Sequence, residues 1–465
     1  MANATNEELK QKLDAFFKNQ PDQSEKAQQD AKIFKDLYGQ FLEDQHYIDW
    51  KSWKYIKKES QISLESLPQF DKSRVSIVDK LAVIKLNGGL GTTMGCKKAK
   101  SLIEVRDGYT FMDLAVLEHE KMCTSFNLTT PLYLMNSFYT DDDTKKYLNE
   151  KGYRHVRTFV QSKCPRLDAQ TKLPIEDDSQ DWGDDAWCPP GHGNIFQSLQ
   201  NSGVLDQLLS EGIEIAFISN IDNTGANTYF PIFQLMMSQP VDYVMECTNK
   251  TKVDIKGGTL IEINNQMMHL EMPQVPPEHL SEFCSTDVFK IFNTNNIWVN
   301  LKAVKRLLPN IQSEIIVNKK EVRGRNVLQL EFSIGGCIKN FANALCVHVR
   351  RDRFRPVKNL GDLLSLRSSI YELNRITFTI HHNKDVGDAP AISLDPTVYT
   401  SVEELNKRFP YSLNMRNCTD FNVRGDVHFG RNIRLHGRVS IQNEKVDPYY
   451  LPNDCRIEDE TKIFM

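Results

Sequence analysis

Several common signatures are missing from this 465-residue chain. No apolar run approaches the ~20 residues that a membrane helix needs, and the opening MANATNEELKQKLDAFFKNQ has no apolar secretory core. A cytoplasmic protein with no membrane partner is therefore expected. Neither sign of charge dominates: 57 basic and 61 acidic residues leave a formal net charge of −4. That offers no global field for nucleic acid, so any phosphate must be caught locally. Ten cysteines occur without one C-x-x-C pair, which removes the usual zinc and dithiol patterns. The glycine-rich stretch KLNGGLGTTMGCKKAKSLIEV, Lys85 to Val105, fits neither common phosphate-loop pattern. Gly89 and Gly91 begin a dinucleotide fingerprint, but Met94 stands where its third glycine belongs, and no glycine pair meets Lys-Ser or Lys-Thr at P-loop spacing.

What is present describes an ordinary globular protein, with 40% hydrophobic and 25% charged residues, long enough for two or three structural units. The first 70 residues are polar and helix-prone, with Phe34, Leu37, Tyr38 and Phe41 at helical spacing. From Leu81 onward short apolar runs alternate with helical stretches, which predicts an α/β unit with a largely parallel or mixed sheet. In such sheets ligands gather beyond the strands' carboxyl ends. The residues that close the runs are Lys85 to Gly89, Asn136 with Ser137, Asn220 with Asp222, Glu246, and Asn293 with Asn295. Near the carboxy terminus the pairs Phe421/Val423, Val427/Phe429, Ile433/Leu435 and Val439/Ile441 repeat every six residues, breaking register after Ile441. Hexapeptide repetition predicts a β-helix of about one coil, favoured over a plain β-meander.

The glycines of NGGLGTTMG let backbone N–H groups approach a planar or anionic ligand, and Lys97, Lys98 and Lys100 add cations. KLNGGLGTTMGCKKAKSLI closely resembles the nucleotide-binding loop of eukaryotic UTP–glucose-1-phosphate uridylyltransferases, or UDP-glucose pyrophosphorylases. LMNSFYTDDDT, FVQSKCPRL, WCPPGHGNIF, ISNIDNTGA, VMECTNKTKVDIKGGTL, FKIFNTNNIWVNL and RFRPVKNLGDLL resemble that family's blocks in order. One departure is CKKAKS, where Lys98 and Ala99 replace the family's frequent Gly-Pro while Lys100 is kept.

The resemblance implies a reversible reaction in which UTP and glucose 1-phosphate give UDP-glucose and pyrophosphate with Mg²⁺. It implies a glycosyltransferase-A-like, Rossmann-like mixed sheet in a catalytic domain at 79–385, after a helical region at 1–78 and before a left-handed β-helix at 386–465. Leu86, Asn87, Gly88 and Gly89 match the segment that holds the nucleotide, Lys100 the lysine on the triphosphate, and Gln161 the amide that reads the base. Gly191 and His192 match a pair facing base and sugar phosphate. Asp222 matches the Mg²⁺ ligand, with the cation also held by phosphates near Lys100. Asn220 and Ile221 precede it on the sugar-phosphate side, and Glu246, Asn293 and Asn295 match groups near the glucose hydroxyls. Lys358 matches a phosphate-binding lysine assigned as catalytic.

Its neighbours Arg350, Arg351, Arg353 and Arg355 read as a solvated charge run. Trp182, Trp187 and Trp298 read as packing residues, and TDDDTKKYLNE as a helix start whose carboxylates favour the dipole. Two rivals remain: another UDP-sugar pyrophosphorylase, whose loop carries arginine where Thr93 and Met94 stand, and a non-catalytic regulatory subunit, which would not need Lys100, Asp222 and Lys358 together. The tail DPYYLPNDCRIEDETKIFM, with Tyr449, Tyr450, Leu451, Ile463, Phe464 and Met465, holds more apolar matter than a solvated end needs, and a homo-oligomer through this region is expected.

Overall fold

Reciprocal capping starts the chain's first helix in the computed structural model, which describes residues 5–43, 47–176, 181–251, 254–387 and 389–464. Met465 of the tail lies outside them. Thr5 accepts from the Glu8 amide and Glu8 from the Thr5 amide, opening α1, Asn6–Asn19; Ser24 caps α2, Glu25–Leu42. The apolar faces of these helices, Leu9, Leu13 and Phe16 on one and Phe34, Leu37 and Tyr38 on the other, bury against Leu328, Leu330 and Phe332 of the strand Arg325–Phe332. The amphipathic lead-in is thus a helical hairpin on the flank of the α/β unit.

The main sheet contains β1, Gln61–Ser63; β2, Leu81–Asn87; β3, Leu132–Asn136; β4, Arg157–Val160; β5, Ile215–Asn220; β6, Tyr243–Asn249; β7, Ile291–Asn300; and β8, Ala344–His348. Their order across the sheet is β1-β8-β6-β7-β5-β2-β3-β4. Helix α3, Phe111–Phe126, crosses from β2 to β3, and α4, Asp141–Lys151, from β3 to β4. The acidic first turn of α4 is the helix start that its sequence predicts. Ile84, Phe196 and Ile218 lie in the core on one face of the sheet, and Val83, Val116 and Phe217 in that on the other. Burial on both faces explains the near-continuous apolar runs.

Strand β7 alone is antiparallel to its neighbours, β5 and β6. Asn293 and Asn295 therefore do not close a run, as the sequence suggested. They lie in the first half of one long strand, which running against its neighbours sets beside the carboxyl ends of β5 and β6. The register slips between Met245 and Cys247, and opposite this slip Asn295 adopts a left-handed φ of 59°. A bulge of this kind re-aims a side chain at a strand end.

The carboxy-terminal strands are β9, Ala391–Leu394; β10, Asn414–Arg424; β11, Val427–Phe429; β12, Arg434–Asn443; β13, Tyr449–Leu451; β14, Arg456–Glu458; and β15, Thr461–Phe464. They pair in parallel, Phe421 with Val439 and Val423 with Ile441, three hexapeptides apart. The next layer pairs Val427 with Tyr449 and Leu435 with Ile457, an offset of 22 residues. The six-residue register breaks after Ile441 because the following turn is longer, not because the stack ends there. One buried cluster joins Phe421, Val439 and Ile441 to Leu363 of helix α5, Leu360–Arg367, and to Met94 and Phe111, so this core crosses the expected boundary at 385. Among the described residues no helix is long and apolar enough to cross a membrane.

Candidate functional site

The glycine loop closes on itself at the end of β2. Lys100 N–H donates to Gly89 O at 3.1 Å, Cys96 N–H to Gly91 O at 2.9 Å, and Leu90 bridges to Ala99. This closure carries the Lys100 ammonium to Asp222, just past the end of β5, where Nζ donates to Oδ2. The two residues, 122 apart in sequence, form the ion pair at the centre of the site. Beside it Asn295 Nδ2 donates to Asn220 Oδ1 at 3.0 Å, and Asn295 N–H to Asn293 Oδ1 at 2.8 Å. Leu86 and Ile221 are buried, and Ile221 N–H donates to Leu86 O at 3.2 Å, tying the strand ends together.

Gly88 and Gln161 meet on the other side of the loop. A Cβ on Gly88 would fall 2.0 Å from Gln161 Nε2, so any larger residue there would displace the amide. Gln161 is buried and its Oε1 has no partner among the described residues, which leaves an acceptor for a ligand donor. Asn87 is a different case: its Nδ2 donates to Asn136 Oδ1 at 2.8 Å and Thr144 Oγ1 at 2.9 Å, so its side chain braces the β2 end from within. A Cβ on Gly191 would meet Phe332 O at 2.6 Å, and φ there is 81°. His192 Nδ1 accepts from Ile334 N–H at 3.0 Å, which puts the proton on Nε2; burial lowers the ring's pKa to about 4, so it is neutral at working pH.

Lys358 reaches the loop through its backbone, its carbonyl accepting from Thr93 Oγ1 at 3.0 Å and its N–H donating to Asp362 Oδ2 at 2.7 Å. Its side chain is exposed. Burial raises the Asp362 pKa against the opposing fields of Lys358 and Lys100, so both lysines act on one carboxyl.

Glu246 requires a correction. It is 0% exposed, with Oε1 accepting from Trp298 Nε1 at 2.9 Å and Arg353 Nη2 at 2.6 Å, and Oε2 from Arg353 Nε at 2.7 Å and Asn296 Nδ2 at 3.1 Å. Both oxygens are consumed by partners inside the protein, which leaves neither for a sugar hydroxyl. The arginine run is corrected with it: Arg353 is buried on Glu246, Arg351 pairs with Asp254 at 2.6 Å, and Arg355 donates to Ile380 O, leaving Arg350 as the solvated member. Trp298 stacks on Phe217 at 4.2 Å, the packing role expected of it.

The residues that sequence reasoning missed lie beside Asn293. A Cβ on Gly335 would meet Asn293 Nδ2 at 3.0 Å and His269 Nδ1 at 2.6 Å, and one on Gly258 would meet Glu271 Oε2 at 2.9 Å. Burial raises the Glu271 pKa to about 7 and lowers that of His269 to about 4. Neither HLE nor KGG carries a pattern that separates it from a hairpin. Among the described residues no three His, Cys, Asp or Glu converge on a metal position. Asp222 is therefore not part of a ready-made carboxylate cage, and a hard cation held there would share that carboxylate with the Lys100 ammonium and take most of its oxygens from phosphates and water.

Comparison with known proteins gives the family. The family described as UTP–glucose-1-phosphate uridylyltransferase matches residues 31–436. A UTP–glucose-1-phosphate uridylyltransferase 2 of Dictyostelium discoideum is 40% identical over 468 residues, covering 98% of this chain and 93% of its own. A probable UTP–glucose-1-phosphate uridylyltransferase of Schizosaccharomyces pombe is 39% identical over 443 residues, covering 93% of this chain and 87% of its own. A crystal structure of a UDP-glucose phosphorylase from Trypanosoma brucei superposes with a TM-score of 0.85 at 30% identity, covering 98% and 99% of the two chains. With the family matched over residues 31–436 and both relatives aligned over most of their own length, this chain belongs to the UTP–glucose-1-phosphate uridylyltransferase family.

Proposed function

We propose that this chain transfers a uridylyl group between UTP and glucose 1-phosphate, giving UDP-glucose and pyrophosphate, at the edge where the Lys100–Asp222 pair lies. Family membership carries the reaction, and that pair carries its location. A phosphate oxygen of glucose 1-phosphate attacks the α-phosphorus of UTP in line, and the bond to pyrophosphate breaks. The protein's part in such a transfer is positioning and charge neutralisation.

Lys100 and Lys358 supply positive charge to the phosphates. The backbone at Gly88 and Gly89 and the open Gln161 acceptor take the uracil, and His192, neutral, donates from Nε2. Asn220, Asn293 and Asn295 take the sugar phosphate and sugar, with Glu271 in the role that the resemblance implied for Glu246; near pH 7 a carboxyl with its pKa both donates and accepts. Asp222 together with phosphate oxygens would hold Mg²⁺, which would add charge neutralisation at the transferring group. The main sheet is proposed as glycosyltransferase-A-like and the parallel coils as a left-handed β-helix. Tyr450 and Ile463 on those coils are exposed, which supports association of copies there, a proposal that light scattering checks.

The test of the function is direct. Protein incubated with UTP, Mg²⁺ and a panel of sugar 1-phosphates is expected to release pyrophosphate fastest with glucose 1-phosphate, and chelation should stop the release. Silence with every sugar would reject the reaction, and a preference for an N-acetylhexosamine phosphate would reject the substrate.

A further inference from the structure

The candidate site residues sit at strand ends, a bulge and loops, and a buried ion pair, Arg353 with Glu246, lies beneath them. Arg353 donates from Nε and Nη2 to the two oxygens of Glu246 at 2.7 and 2.6 Å, and from Nη2 also to Asn227 O at 3.0 Å. Its own carbonyl accepts from Asn223 Nδ2 at 3.1 Å and Asn296 Nδ2 at 3.3 Å. Asn223 Oδ1 accepts from Arg355 N–H at 2.8 Å, and its Nδ2 donates to Asn296 Oδ1 at 3.1 Å. A Cβ on Gly225 would lie 2.4 Å from Asp352 O, so the loop after Asp222 rests directly on the 352–353 backbone. Lys85, buried in β2, holds that loop from below, donating to Ala226 O at 2.8 Å and Ser219 Oγ at 2.9 Å.

Three segments thus converge on one ion pair: 220–227 with Asp222, 293–296 with Asn293 and Asn295, and 353–358 with Lys358. The first runs on from the end of β5, the second is the bulged part of β7, and the third precedes helix α5, so regular pairing alone does not fix them against one another. Apolar packing would hold such segments at an average distance, whereas a planar fork with fixed donor directions holds them at one. Burial of such a pair is weak evidence for stability, since an apolar pair of like volume often does as well.

We infer that the Arg353–Glu246 ion pair is a positioning device, which sets the segments that carry Asp222, Asn295 and Lys358 against one another for the transfer step. The inference rests on the site assignments proposed above. Arg353 and Glu246 touch no substrate; they act through Asn227, Asn223 and Asn296 on the segments that do.

Arg353→Lys tests it, because lysine keeps the charge opposite Glu246 but cannot bridge both carboxylate oxygens and Asn227 O. The variant is expected to fold, to bind UTP with little change in Kd, and to lose about 10²-fold in kcat, the scale of a small misplacement of reacting groups. Wild-type kcat in folded Arg353→Lys would overturn the inference. The double variant Glu246→Gln with Arg353→Met, which removes both charges at similar volume, is expected to regain thermal stability relative to Arg353→Met alone while kcat stays low. Joint recovery of stability and kcat would make the pair structural and overturn it as well. Lys358→Ala in the same assay separates the levels: loss of turnover there beside normal Arg353→Lys sinks the positioning device alone, while retained turnover in Lys358→Ala sinks the site assignment and the device with it.

Discussion

At the carboxyl edge of the main sheet the chain is held by ions and amides, while in the carboxy-terminal coils it is held by apolar ladders. Around Asp222, side chains of Lys85, Asn223, Glu246, Asn296 and Arg353 bond loop to loop. In the coils Phe421 faces Val439 and Val423 faces Ile441 one layer away, with the polar residues between them turned outward. Hydrogen bonds have direction and fix geometry within tenths of an ångström, whereas apolar burial is non-directional and scales with area. The first suits a site that must hold phosphates in line, the second a support that need only be stable. If the contrast is right, substitutions at the edge should alter rate with modest loss of stability, and substitutions in the coils the reverse.

The largest effect is expected from Lys358→Ala. Losing one preorganised charge at a transferring group typically costs ~10²–10³ in kcat. UTP affinity should change far less, because the charge acts mainly as the transition state forms. Steady-state kinetics with equilibrium UTP binding checks both halves, and near-normal turnover would remove Lys358 from the chemistry. The counterpart is Ile441→Ala, at a position with 0% exposure in the ladder. A large-to-small change in such a core costs about 2–5 kcal/mol, read as a lower denaturation midpoint. Turnover per folded molecule should stay at the wild-type value. A loss of kcat there at a temperature where the variant is fully folded would break the comparison.

The two regions meet at Gly95, which makes a sharper test than either alone. Its φ is 68°, and a Cβ would lie 2.5 Å from Ser401 Cβ and 2.6 Å from Thr400 O, at the start of helix α6, Val402–Arg408. Met94 beside it is buried in the same cluster as Phe421 and Val439. The tip of the glycine-rich loop is therefore docked on the carboxy-terminal region. Gly95→Ala adds about 1–2 kcal/mol of left-handed backbone cost as well as the collision. Both the thermal midpoint and kcat/KM for UTP should fall, the latter by less than in Lys358→Ala. A fall in stability with unchanged kinetics would show that the docked tip does not communicate with the nucleotide.

The contrast also explains which parts could be read from the chain. The coils were legible because Phe421 to Ile441 repeat a short period that few structures other than a stacked β array satisfy, and only the longer turn after Ile441 hid the second layer. The loop, Lys100 and Asp222 were legible through their resemblance to a known family, and the structure brings them into contact. The hub was not. Arg353 sits among other arginines whose spacing says nothing of depth, and Glu246 closes an apolar run as any ligand-facing carboxylate would. What the sequence does not show is that Arg353, from a segment 107 residues away, comes to lie buried against that carboxylate. Lys85 did give a clue, as the one charge inside LAVIKLN, since a lysine in a strand buried on both faces needs acceptors.

The smallest effect expected is a pH dependence on the polar side of the comparison. Burial lowers the pKa of His192 and of His269 to about 4 from 6.5, so between these values the unfolded chain takes up protons that the folded one refuses. Stability from these rings is fully present above pH 6.5 and is lost as pH falls through 4. Glu271 acts with the opposite sign. Its pKa is raised from 4.5 to about 7, so the folded state holds a proton that the unfolded one releases, and its contribution, complete below 4.5, is lost as pH rises through 7. The two trends oppose each other between pH 4.5 and 6.5, where the wild-type thermal midpoint should change gently. Removing one term exposes the other: His269→Gln should flatten the acid fall, and Glu271→Gln should steepen it. Thermal midpoints of the three proteins from pH 4 to 7 give the comparison, and parallel curves would mean that neither His269 nor Glu271 titrates as its burial demands.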